Sequence, residues 1–337
     1  MKAMIFAAGL GTRLRPLTDT MPKALVPVDG RPLIEIVARK LRDSGFREAV
    51  VNVHHFADMI CEWVEAQDIM EIRVSDERAR LLETGGGILH ARESLQGSGS
   101  FLVHNVDILS NADLRSFARR HRPDALATLL VSPRESSRHF LFRRDDMRLA
   151  GWENVNTGER IMAIDVPVSD CIALSFSGIH IISDSVFPVM DAYISASCPA
   201  PTLESSSCPA PTLESSSCPA RPLESSSCPA PALESSSCPA PTLESSSCPA
   251  PTGHLNGTGS PIRSGMTYAD QGMTYADPGM TYALPEPVPA PKFSIRDFYL
   301  WAASRYPIYG INDPDLRLLD VGKVGSLKQA SDFLSTC

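Results

Sequence analysis

Of the 28 prolines in this 337-residue chain, 18 fall between positions 198 and 291, and that crowding decides where a fold can be built. Residues 198–252 are five decapeptides close to Cys-Pro-Ala-Pro-Thr-Leu-Glu-Ser-Ser-Ser and the start of a sixth, and residues 265–285 repeat a second unit, Gly-Met-Thr-Tyr-Ala followed by two variable positions. Proline blocks helix and ladder alike, and the serine runs offer little to bury. The period is too short for helical repeats, and each decapeptide contributes one leucine. Residues 196–291 are therefore expected to be a disordered low-complexity insertion, extended where proline is dense. Near-identical units of two unrelated periods read as an in-frame expansion, tolerated because loop-closure entropy grows slowly with length. A docking tether, a spacer and an oxidisable cysteine array are the functional alternatives.

The fold must then come from residues 1–195 and 292–337, as two parts of one domain. Apolar strand patterns at Ala3–Phe6, Ala49–Val53, Phe101–His104 and Leu126–Val131 alternate with helical patterns at Leu33–Ser44, Ala57–Ala66, Gly86–Ser94 and Ala112–His121. This alternation predicts an α/β fold, a mostly parallel sheet flanked by helices. After residue 139 the pattern is richer in strands, through Phe140–Phe142 and Ile172–Ile182. The last segment reads as helices at Phe293–Ala303 and Ser326–Leu334 around a strand at Leu316–Leu319.

Bulk properties exclude several classes. A net charge of −8 argues against general nucleic-acid binding, and no apolar stretch is long enough to span a bilayer. The apolar start meets an arginine-rich loop with no cleavage region, so it reads as a first core strand and the protein as cytoplasmic. Six of the nine cysteines lie in the decapeptides; only Cys61, Cys171 and Cys337 lie elsewhere. That distribution suits a reducing compartment and lacks paired zinc-binding clusters. No feature specifies an oligomeric state.

The chemistry is concentrated near the start. Met4–Phe6 runs into Ala7-Ala8-Gly9-Leu10-Gly11-Thr12-Arg13, and Pro22-Lys23 follows shortly. A strand ending in small residues presents backbone N–H groups where open α/β sheets bind ligands. Gly9 and Gly11 permit close approach, while Arg13 and Lys23 supply a forked and a point cation.

The string from Ala7 to Val28 resembles the signature of the sugar-1-phosphate nucleotidyltransferases, which join an NTP to a sugar 1-phosphate and release pyrophosphate. The resemblance implies a Rossmann-like GT-A fold and a Mg²⁺-dependent reaction. It places Ala8, Gly9, Gly11, Thr12 and Asn105 around the nucleotide, Arg13 on the departing pyrophosphate and Lys23 near the α-phosphate and sugar phosphate. Asp107, at the end of the Phe101 strand, would be one magnesium ligand, although Val106 stands where the family usually has glycine. Asp320, in Asp320-Val321-Gly322, would be the second. Alone, these aspartates also read as a helix cap, a role open to Asn111 or Asp113, and as a turn.

Leu82-Glu83-Thr84-Gly85-Gly86-Gly87-Ile88 is a second glycine element. By resemblance Thr84, Gly85 and Gly86 would contact the nucleobase, and the string is most similar to uridylyltransferases acting on N-acetylmuramate 1-phosphate in cell-wall recycling. Ser175–His180, with Gly178, resembles the sugar-side strand of that subfamily, and Glu153 and Asn154 lie where the family contacts the sugar. His54-His55, Arg119–Arg122 and the Arg143–Asp146 turn read as surface or loop features. Mannose- or heptose-1-phosphate guanylyl transfer is the alternative activity. A non-catalytic nucleotide-sugar sensor is the alternative of another class, marked by loss of a charged site residue; Arg13, Lys23, Asp107 and Asp320 are all present.

Overall fold

Alternating side chains of the central strands face two different cores. In the computed structural model, which describes residues 1–197 and 291–335, strand β1 (Lys2–Phe6) sends Ala3 and Ile5 to one core and Met4 to the other. Strands β4 (Glu48–Val53) and β6 (Ser100–Asn105) divide in the same way: Val51 and Leu102 join Ile5, while Val50, Phe101 and Val103 join Met4. Two-sided burial of this kind needs a helical layer on each face.

The first layer holds α1 (Leu33–Asp43), α2 (Ala57–Ala66), α5 (Leu114–Arg119) and α8 (Val324–Ser335), which supply Leu33, Leu41, Ile60, Leu114 and Ala330 to the Ile5 core. The second holds α3 (Glu83–His90), α4 (Arg92–Leu95), α6 (Val186–Ser197) and α7 (Ile295–Ala303), which supply Ile88, Leu95, Phe187 and Phe298. Short ribbons β2 (Pro27–Val28) and β3 (Arg31–Pro32) lead into α1.

The remaining strands are β5 (Glu71–Asp76), β7 (Ile108–Ser110), β8 (Ala127–Ser132), β9 (Arg138–Arg143), β10 (Leu149–Asn154), β11 (Glu159–Met162), β12 (Cys171–Ser183), β13 (Ile308–Asn312) and β14 (Leu318–Asp320). The main sheet runs β11-β10-β9-β12-β6-β1-β4-β5, with β8 on β12 and β13 on β8. Pairing is parallel over β6-β1-β4-β5 and between β13 and β8, and antiparallel around β9, β10, β11 and β12. The α/β alternation seen in the sequence thus builds the parallel half; the strand-rich stretch after residue 139 makes the whole sheet mixed.

Two local expectations change. The single helix expected over Gly86–Ser94 is two, broken at Ala91, and the first begins three residues earlier at Glu83. The C-terminal part holds a strand that the sequence did not reveal, β13, inserted beside β8. Helix α6 runs to Ser197, slightly past the expected start of the insertion. The disordered reading of the insertion otherwise lies outside the described residues, as do the repeated cysteines. Among the described residues no helix is long and apolar enough to cross a membrane.

Candidate active site

At the carboxyl ends of β1, β4 and β6 the backbone opens into a cavity of about 390 Å³. Ala7, Ala8, Gly9, Lys23 and Asn52 line it together with Glu83, Thr84, Asn105, Val106 and Asp107. This is the crevice that parallel α/β topology leaves for a ligand.

The first loop owes its shape to Gly11. Its φ of 63° is left-handed, and a Cβ there would lie 2.9 Å from Thr18 Cγ2 and 3.0 Å from Lys23 Cβ. Thr18 closes the loop by donating its hydroxyl to Gly11 O at 2.9 Å. Gly9 has open space around it and is exposed beside the cavity. Thr12 and Arg13, also exposed, follow in a single 3₁₀ turn.

Lys23 is buried and its ammonium pairs directly with the Asp107 carboxylate. Asp107 is thus not the helix cap; Asp113 has that role, accepting from Ser116 N–H at 2.9 Å. Val106, in the usual glycine position, is 4% exposed and packs into the Ile5 core, while its N–H donates to Phe6 O at 3.1 Å. Val106 thus packs on the core while also bordering the cavity.

Asp320 arrives from the other end of the chain. Strand β14 pairs with β7 so that Asp320 lies opposite Ile108, and Val321 N–H donates to Asp107 O at 2.8 Å. The ribbon brings the two aspartates to neighbouring backbone positions. Gly322 fits between Asp320 and Arg13: a Cβ there would be 2.6 Å from Asp320 Oδ1 and 3.0 Å from Arg13 Nη2. Among the described residues no cluster of three or more His, Cys, Asp or Glu side chains forms a ready-made cation cage. Asp107 borders the cavity while Asp320 lies outside its lining; carboxylate oxygens are the donor type that suits Mg²⁺.

Thr84, Gly85 and Gly86 are placed differently from one another. Thr84 borders the cavity, yet its hydroxyl accepts from Ile295 N–H at 3.0 Å. Gly85 and Gly86 turn toward the C-terminal segment, where both N–H groups donate to Phe293 O at 2.9 and 3.2 Å. A Cβ on Gly85 would stand 2.3 Å from the Phe293 ring, and one on Gly86 2.4 Å from Pro291 O. Their smallness admits the chain at residues 291–293, and Ser294 consequently borders the cavity.

Gly178, outside the cavity lining, sits in a bulge of β12 with φ 78°. A Cβ there would lie 2.8 Å from Asn105 Nδ2, so this glycine leaves room for the Asn105 amide. Glu153 and Asn154 are on β10, outside the cavity lining. Glu153 pairs with Arg160 at 2.8 Å, and Asn154 accepts from Asn156 N–H at 3.1 Å.

Three residues went unnoticed in the sequence. Asn52 and Glu77, both buried, form a polar pair beneath the loop; burial raises the Glu77 pKa, opposed by hydrogen bonds from Asn52 and Leu82 N–H. A polar residue inside the apolar run Val50–Val53 was the one available signal. Arg134 donates to Phe176 O at 2.7 Å, and burial lowers its pKa while the Asp320 carboxylate opposes the shift. Of the other histidines, His54 spends its Nδ1 on Glu77 O at 2.8 Å, a structural role.

Residues 2–141 match the sequence profile of the family described as nucleotidyl transferase. The chain is similar to the N-acetylmuramate alpha-1-phosphate uridylyltransferase of Caulobacter vibrioides, 49% identical over 109 residues that make up 31% of this chain and 45% of that protein. Its counterpart in Neisseria meningitidis is 44% identical over 115 residues, 34% of this chain and 49% of that protein. The chain spans about half the length of these relatives. Among solved structures, HddC from Yersinia pseudotuberculosis complexed with GMP-PN superposes with a TM-score of 0.55 at 15% identity, covering 99% of each chain. The chain is a relative of the sugar-1-phosphate nucleotidyltransferases in the sequence of its N-terminal part, and it has the nucleotidyltransferase fold.

Proposed function

We propose that this protein transfers a uridylyl group from UTP to N-acetylmuramate 1-phosphate, giving the nucleotide sugar and pyrophosphate in the course of cell-wall recycling. The observation that carries the reaction class is the Lys23–Asp107 pair, set beside the glycine loop at the end of parallel strands. The choice of UTP and of the muramyl substrate rests on similarity to the two uridylyltransferases.

The chemistry asks little of acid–base groups. A sugar-phosphate oxygen, already ionised near neutral pH, attacks the α-phosphorus; a new P–O bond forms as the α–β bridging bond breaks, and its electrons leave on pyrophosphate. Catalysis then consists of alignment and charge stabilisation. Lys23 would hold the α-phosphate and the attacking phosphate together, and Arg13, exposed beside Gly322, would take the departing pyrophosphate. Ala8, Gly9, Gly11, Thr12 and Asn105 would surround the nucleotide, with Thr84 and Ser294 toward the base. Asp107 and Asp320 are the residues that would hold Mg²⁺, which when bound lowers the repulsion between two polyanions. Glu153 and Asn154, away from the cavity lining, would reach only the far end of a long sugar substituent.

Pyrophosphate release tests this reading, with Mg²⁺, each NTP in turn and a panel of sugar 1-phosphates. Turnover with UTP and N-acetylmuramate 1-phosphate is expected. Preference for GTP with mannose or heptose 1-phosphate would replace the uridylyl reading by the guanylyl one, and nucleotide binding without any turnover would identify a sensor.

A further inference from the structure

Behind the phosphate loop the chain buries a carboxylate that the proposed reaction does not use. Glu77 follows β5 and is 2% exposed. Its Oε1 accepts from Asn52 Nδ2 at 2.8 Å, and its Oε2 accepts from Leu82 N–H at 3.2 Å. At its other end Asn52 accepts through Oδ1 from Ala7 N–H at 2.8 Å and from Ala8 N–H at 3.3 Å. One carboxylate is therefore connected to both walls of the cavity: to the glycine loop through Asn52, and directly to the segment that presents Glu83 and Thr84.

The direction of this relay is forced. Two backbone donors at Ala7 and Ala8 demand the oxygen of Asn52, so its NH₂ faces residue 77. The Leu82 amide is a donor as well. Between two donors only an acceptor-only group satisfies both, and an ionised carboxylate is one. The space is equally specific, since a Cβ on Gly87 would lie 2.8 Å from Glu77 Oε1. The backbone of Glu77 is anchored too, its N–H on Val53 O at 2.8 Å and its carbonyl hydrogen-bonded to His54 Nδ1 at 2.8 Å.

We propose that Glu77 is a positioning residue whose carboxylate, through Asn52 and the Leu82 amide, sets the spacing between the phosphate loop and the base-side wall of the cavity. Its effect on nucleotide affinity rests on reading that cavity as the NTP site. Gln at this position would present a donor either to Asn52 Nδ2 or to Leu82 N–H. If Asn52 rotated to accommodate it, the conflict would pass to Ala7 and Ala8, whose amides would lose their acceptor. A compensating pair exists on paper. In the double variant N52D/E77Q, Asp at 52 accepts from both loop amides and from the Gln amide, whose oxygen still accepts from Leu82. The buried relay then keeps one negative charge and every donor keeps an acceptor.

The test compares wild type, E77Q and N52D/E77Q by titration calorimetry with UTP and by amide hydrogen exchange at Ala7 and Ala8. E77Q is expected to raise the UTP Kd by about tenfold or more, as for a buried donor left unpaired, and to lose exchange protection at both amides. N52D/E77Q should recover both. Unchanged binding and protection in E77Q overturn the proposal, as does a double variant that recovers melting temperature without recovering affinity and protection. Should the wild type take no UTP, the NTP-site reading fails, and exchange at Ala7 and Ala8 alone decides whether Glu77 positions the loop.

Discussion

The amide of Val321 donates to the carbonyl of Asp107 at 2.8 Å, so a backbone hydrogen bond, and not a side-chain contact, sets Asp320 beside Asp107. Strand pairing of β14 with β7 continues the same register. Carboxylates held by a ladder keep their spacing when one of them is changed, because the backbone bonds do not depend on side-chain charge. Asp320 can therefore be altered with the fold intact, whereas Asp107 also neutralises the buried Lys23 ammonium.

Asp320→Asn should accordingly retain the wild-type melting temperature, since Asp320 is exposed at its strand end. It should raise the Mg²⁺ concentration needed for half-maximal pyrophosphate release. A chelator should abolish turnover by the wild type, and Mg²⁺ should restore it. A metal response identical in wild type and variant would remove Asp320 from the proposed metal set.

Lys23→Met removes the cation that faces Asp107 while keeping an unbranched apolar stem. Loss of one preorganised charge at the reacting phosphates should lower kcat by roughly 10²–10³-fold. Arg at this site should not restore it, because a planar fork cannot replace a compact ammonium in a buried position. Steady-state kinetics beside a circular-dichroism melt separates catalysis from folding.

Gly11 and Gly9 should respond differently to alanine. Gly11→Ala meets Thr18 and the Lys23 stem at a left-handed φ, so it should lose about 1–3 kcal/mol of stability. Gly9→Ala meets nothing within 4 Å and should melt like wild type while binding UTP more weakly. Urea unfolding and nucleotide titration of the two variants read these effects independently.

Gly178→Ala should act on the Asn105 amide, which a Cβ would approach to 2.8 Å. The expected result is a higher KM for UTP. A rise confined to KM for the sugar phosphate would move Asn105 to the sugar side.

Two buried histidines give stability a defined acid limb. Burial depresses His180 from 6.5 to about 3 and His104 from 6.5 to about 4. Below pH 6.5 the unfolded chain takes up protons on these residues that the folded chain refuses, so stability falls as pH falls from 6.5 toward those lower values. His180→Asn keeps an acceptor for Tyr299 Oη, which bonds His180 Nδ1 at 2.8 Å. The slope of unfolding free energy against pH between 6 and 5 should be shallower in that variant, and an unchanged slope would show that His180 does not contribute.

Much of the parallel half was legible because its strands and helices carry their own periodicity. The helix expected at Ala57–Ala66 is α2 residue for residue, and Leu33–Ser44 differs from α1 by one residue. The start of α3 was not legible. Three successive glycines are poor helix formers, but Gly85 and Gly86 are held by the Phe293 carbonyl, a partner more than two hundred positions away in sequence. Strand β13 escaped notice for a related reason: it is short, contains Gly310, and is defined mainly by its pairing with β8.

The same division runs through the site. By itself the sequence offered the glycine loop and the cations Arg13 and Lys23, because residue type and short spacing carry that chemistry locally, and it singled out Asp107 and Asp320 through the family resemblance. Only the tertiary structure decided that Lys23 meets Asp107, that Asp320 joins it, that Ser294 borders the cavity and that Glu77 lies beneath the loop. Those meetings depend on which distant segments pair, and a local pattern of apolar and polar residues specifies that a strand will pair without specifying its partner.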